Sequence, residues 1–103
     1  MFKLKPYLKI LGIDYKIELH EYVNDDNALG LINYNTMTIK LKEDLPEHAQ
    51  KSVLMHECVH AMLDILKLHD LNTNEDIVDA LAHGMLSIIE NNEFLNETLV
   101  KHN

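Results

Sequence analysis

Arginine and tryptophan are absent from this chain of 103 residues, and cysteine occurs once. All 9 basic residues are lysine. Against 17 acidic residues they leave a formal net charge of −8. Phosphate recognition needs dense positive charge, so this balance argues against direct nucleic-acid binding. The lysines that do cluster, Lys3, Lys5, Lys9 and Lys16, read as a solvated face. A lone cysteine, Cys58, excludes an intramolecular disulfide. No apolar run approaches the ~20 residues needed to span a bilayer. Lysines also interrupt the opening "MFKLKPYLKILG" where a secretory signal would carry its apolar core. The expectation is a soluble cytoplasmic protein without a membrane partner.

Enough Leu, Ile, Val and Met are present to build a core, and the hydrophobic share of 47% is ordinary for a folded domain. The length suits one domain, 1–103, without repeats or low-complexity tracts. Its first part, 1–43, is strand-rich. "YKIELHEY" alternates Tyr15, Ile17 and Leu19 with Lys16, Glu18 and His20, the period of a half-buried strand. "LKILG" before it suits a partner strand or a short helix. Asn33 to Thr36 reads as a hairpin turn joining Leu29–Ile32 to Met37–Leu41. Lysines on the outer side of the second of these suit an edge strand.

The remainder, 45–103, reads as helical. Asp44 or Leu45 can cap a helix with Pro46 and Glu47 in its first turn, running to about Leu68. "HDLNTN" reads as a loop. Asn72 or Thr73 can cap a second helix running to about Ile89, and a short last helix is expected within "NNEFLNETLV". Strands followed by helices make an α+β domain, a small antiparallel sheet packed on helices.

Chemistry concentrates at "HECVH", residues 56–60. On a helix, positions four apart are neighbours one turn apart, so His56 and His60 present their imidazoles to one point. Glu57 is rotated by about 100° and borders the same cleft. Two imidazoles on a metal and a carboxylate near its water are what a zinc hydrolase needs. The bare pattern arises by chance in roughly one such chain in twenty, so its surroundings matter. The rest of that helix is apolar nearly all round, and His56, Glu57, His60 and Asp64 form a narrow polar stripe. Buried ionisable groups must be paired or bind a metal. A catalytic zinc needs a third protein ligand, and "NEDIVDALAH" offers Glu75. Asp79, one turn on, suits an acceptor for the second N–H of a ligand histidine. An acid such as Glu75 also suits a helix N-terminus for electrostatic reasons alone, but Asp79 lies too deep for that.

"HECVH" followed by "EDIVD" resembles the HExxH…ExxxD arrangement of gluzincin metallopeptidases, a branch of the zincins. The small size and "GLINYNTMTIKL" before "LMHECVHAML" look more like the compact ImmA/IrrE-type metallopeptidases of bacteria and phages. The resemblance spans about residues 29–90. It implies a minimal zincin-like domain with Zn2+ held by His56, His60 and Glu75, and with Asp79 orienting a ligand histidine. Glu57 would be the general base that activates a zinc-held water. The strand near Met37 to Leu41 would be the edge along which an extended peptide lies. The substrate class implied is a protein or peptide, such as a transcriptional repressor.

No tyrosine or histidine is clearly placed by the sequence as a transition-state donor. His83, one turn beyond Asp79, is the candidate, with a partly buried structural histidine as its alternative. His20, His48 and His69 read as solvent-facing and Cys58 as core; Tyr34 is placed to overhang the cleft, but a tyrosine in a hairpin usually packs. A zinc peptidase is the leading reading. A catalytically weak zinc domain that binds a partner protein is the second, and an α+β interaction protein whose histidines never meet is the third.

Overall fold

A computed structural model describes residues 4–24 and 27–92. The expected last helix falls outside these residues from position 93 onward. Four strands form one sheet: β1 (Tyr7–Ile10), β2 (Ile13–His20), β3 (Gly30–Asn33) and β4 (Thr38–Lys42). Three helices follow: α1 (Glu47–Ile65), α2 (His69–Asn72) and α3 (Glu75–Asn91). The order of strands and then helices makes this an α+β domain, as the sequence leads one to expect. None of the described helices is long and apolar enough to cross a membrane.

"LKILG" resolves as a strand. β1 pairs antiparallel with β2 across a turn in which Leu11 and Gly12 both take left-handed φ, +48° and +83°. The sheet order is β1-β2-β4-β3, with β2 and β4 parallel and the other two pairings antiparallel. The sheet is therefore mixed, not antiparallel throughout. After β2 the chain passes over to lay down β3, and the hairpin turns β4 back into the gap. The edge assignment changes with it: β4 is central, and the two edges of the sheet are β1 and β3, of which β3 lies on the side of β4. Outward lysines on β4 report that one face is solvated. Alternation with period two carries no information about which edge is paired.

α1 lies between the sheet and α3. Ala61 joins Ile10, Tyr15, Ile17, Ile39 and Leu41 of the sheet in one core cluster. Val59 and Leu63 join Val78 and Ala82 of α3 in a second. Met62 packs against both clusters. A helix covered on two sides has to be apolar nearly all round, which is the pattern α1 carries. α3 buries only the Val78/Ala82 row, one turn apart on the same face. Leu81 and Ile88 remain 42% and 54% exposed.

Helix ends decide what reaches the site. α1 begins behind Pro46, which makes no side-chain cap, and stops at Ile65, short of Leu68. Lys67 takes left-handed φ (+61°), and the N–H groups of Lys67 and Leu68 donate back to the carbonyls of Asp64 and Leu63. Such a reversal closes a helix C-terminus. α2 occupies the expected loop and turns the chain back at once. The cap of α3 is Asn74, whose Oδ1 accepts from the Ile77 N–H at 3.2 Å, rather than Asn72 or Thr73. This tight α1–α2–α3 connection returns Asn72 and Glu75 over the last turns of α1.

Candidate metal centre

α1 presents His56 and His60 one turn apart, with ring centroids 4.9 Å apart and planes inclined by 72°. Both Nε2 atoms face one carboxylate. His56 Nε2 lies 3.1 Å from Glu75 Oε2, and His60 Nε2 lies 3.0 Å from Glu75 Oε1. One donor atom from each of the three residues falls within 4.8 Å of the others, which among the described residues defines a group able to hold a metal ion.

The donor set fits zinc. Two imidazole nitrogens and a carboxylate oxygen are ligands zinc accepts. Bonds of roughly 2.0–2.1 Å in a tetrahedron put ligand atoms about 3.3 Å apart, and the two nitrogen–oxygen separations here, 3.1 and 3.0 Å, lie near that value. The other ring nitrogens are also in place. His56 Nδ1 is 2.7 Å from Asp79 Oδ1. His60 Nδ1–H donates to Asn72 Oδ1 at 2.6 Å. Hydrogen bonds at Nδ1 fix the tautomer that leaves the Nε2 lone pair free, and they hold each ring in its plane.

Glu57 is 6% exposed and sits one position round the helix from His56. Burial is the main cause of a raised carboxyl pKa, opposed by the neighbouring His56 and His60 and reinforced by Glu75. Its carboxylate opens onto a cleft lined by Leu29, Gly30, Ser52, Val53, His56 and Asp79. Edge strand, α1 and α3 therefore meet at this cleft. Gly30 makes the approach of β3 to α1 possible. A Cβ there would overlap Val53 Cγ1 and lie 3.1 Å from Glu57 Oε2.

A second pocket, between α1 and α3, shares Ser52, His56 and Asp79 with this cleft. His83 lines that pocket with Ser52, His56, Asp79, Ala82 and Leu86, and its side chain is exposed. His48, also exposed, lines a further pocket with Ser87 and Glu90. His69 is exposed on α2. His20 is tied to Glu18 at 2.9 Å on the sheet. Cys58 packs against the sheet cluster, and burial pushes its thiol up to about 12.

Asn72 and Gly30 are participants that sequence reasoning passed over, and Tyr34 is one that it set down as hairpin packing. Asn72 Nδ2 donates to the Tyr34 hydroxyl at 3.1 Å, so a residue of the β3–β4 hairpin touches the partner of a candidate ligand. An asparagine before a helix is explained equally well by capping chemistry, and no spacing rule distinguishes it. Gly30 announces itself only as a break in a strand, a sign of close backbone approach.

No family model matches the chain, and neither a curated protein nor a solved structure matches it significantly.

Proposed function

We propose that this protein is a zinc-dependent metallopeptidase of the compact zincin type, similar to the ImmA/IrrE-like enzymes, acting on a peptide or a regulatory protein such as a repressor. The observation that carries this reading is the convergence of His56 Nε2, His60 Nε2 and the Glu75 carboxylate beside the buried Glu57. Zinc held there would supply Lewis-acid polarisation of a water and of the scissile carbonyl.

The chain's own groups do the rest. Glu57 accepts the water's proton on its carboxylate and returns it to the departing amine. A carboxylate whose pKa is raised by burial is a stronger base at neutral pH. Asp79 and Asn72 hold the two imidazoles in the ligating orientation. An extended substrate adds to the open edge of β3, with its main chain hydrogen-bonded to the strand that borders Glu57. His83, which shares a pocket with His56 and Asp79, is the side chain assigned to donate to the developing oxyanion.

Glu57→Gln tests the reading. The variant should bind zinc as the wild type does and lose peptide hydrolysis. A variant that still cleaves would remove Glu57 as the base. A wild type that binds zinc but cleaves no peptide or partner repressor would make the domain a zinc-stabilised recognition module. That outcome would also leave Glu57→Gln without consequence.

A further inference from the structure

We propose that Tyr34 is a positioning residue for the metal centre: its hydroxyl holds the Asn72 amide so that Oδ1 faces His60 Nδ1 and His60 Nε2 stays available to a metal. The inference rests on the metal reading above, and it adds the β3–β4 hairpin to the site.

A primary amide has two ends of nearly equal shape and opposite chemistry. With Oδ1 toward His60, the imidazole carries its proton on Nδ1 and keeps a lone pair on Nε2. With the amide turned over, Nδ2 donates to Nδ1 and the proton sits on Nε2. There it faces Glu75 Oε1 at 3.0 Å, a good hydrogen bond that no cation can use. The two arrangements compete, and the contact at the far end of Asn72 decides between them.

That contact is Tyr34, 3.1 Å from Asn72 Nδ2. A phenol can donate or accept, so its own surroundings matter. Burial is the main cause of a raised pKa at this hydroxyl, and the hydrogen bond with Asn72 opposes it. In the structure the hydroxyl oxygen accepts from Nδ2, which leaves Oδ1 at the other end of the same amide for His60 Nδ1.

The hairpin that carries Tyr34 is pinned. Asn33 Oδ1 accepts from the N–H groups of Asn35 and Thr36 at 3.0 and 3.1 Å. Thr38 Oγ1 donates to the Thr36 carbonyl at 3.2 Å, and the Lys16 N–H donates to the Met37 carbonyl at 2.9 Å. Tyr34 itself is 37% exposed, so packing alone does not require its hydroxyl.

Zinc affinity, measured by competition with a chromophoric chelator, tests the link in four variants. Asn72→Ala should weaken binding by about 10–100-fold, the usual loss for a partner of a ligand histidine, and Tyr34→Phe by roughly 3–10-fold. The double variant should be no weaker than Asn72→Ala alone, because the hydroxyl acts only through the amide. Asn72→Asp has no nitrogen end to present. It should bind zinc nearly as the wild type does and be insensitive to an added Tyr34→Phe. In the zinc-free protein, 15N spectra of the histidine rings should show His60 moving toward the Nε2–H tautomer in Tyr34→Phe. Unfolding temperatures should stay together. Additive losses in the double variant would overturn the proposal, as would a Tyr34→Phe protein with wild-type zinc affinity and an unchanged His60 tautomer. A wild type without zinc affinity would defeat the metal reading itself. The zinc-free spectra would then decide on Tyr34 alone, an unshifted His60 counting against it.

Discussion

α1 contributes two imidazoles from a helix packed on both sides, whereas α3 contributes two carboxylates from a helix with a single buried row. His56 and His60 have side-chain exposures of 22% and 11%; those of Glu75 and Asp79 are 62% and 68%. The histidines are aimed by the core itself, since the turns carrying them also carry Val59 and Ala61. The carboxylates are aimed by less: the Asn74 cap, the Val78/Ala82 row and their own contacts with the imidazoles. α1 joins the sheet core to a second core shared with α3, and the candidate metal set is completed from the exposed side of α3.

The largest expected effect separates site from fold. Glu75→Ala should lower zinc affinity by more than the roughly 10–100-fold typical of outer partners. It should leave the zinc-free unfolding free energy within about 0.5 kcal/mol, as for other exposed positions. Isothermal titration together with urea denaturation would show both. A fall of several kcal/mol in the zinc-free protein would mean that α3 is structural at this end as well.

The α1 side should respond in the opposite sense. Gly30→Ala drives a methyl group into Val53 and crowds Glu57, and overpacking of this kind costs about 1–3 kcal/mol. Denaturation midpoints would read it, and hydrolysis should fall with it because Glu57 is displaced. Within α3 the same contrast appears in miniature. Val78→Ala, at a fully buried position, should destabilise by roughly 1–3 kcal/mol, whereas Leu81→Ala should stay within about 0.5 kcal/mol. Equal losses at the two positions would show that the outer face of α3 is covered.

The subtlest effect concerns Glu57 in the zinc-free protein. Its folded-state pKa is raised, chiefly by burial. Stability linked to it is therefore fully present below the unfolded-state value and is lost as pH rises through the raised value. Glu57→Gln should thus gain on the wild type as pH increases from acid to neutral, and the two should converge in acid. A gap that widens toward acid would contradict the assignment.

How much of this was legible beforehand follows from which forces write themselves into a pattern. Burial on two sides makes a helix apolar all round, so α1 and its polar stripe stood out. Spacing of four placed His56 with His60 and Glu75 with Asp79 in each helix, though nothing in the spacing could say that the two helices face one another. Pairing within the sheet left no trace, because the alternation of Ile39 and Leu41 with Lys40 and Lys42 is the same for a central strand as for an edge. The α1–α2 reversal depends on left-handed φ at Lys67, a residue type that gives no warning of it. Asn72 and Tyr34 act through single hydrogen bonds between segments 38 residues apart, beyond the reach of any local rule.

Metal content is the most direct test of the central claim. Protein loaded with zinc and freed of excess should carry about one ion per chain by elemental analysis, with His60→Ala and Glu75→Ala carrying none. A wild type without bound metal, or a His60→Ala protein that keeps its full complement, would contradict the assignment of this site.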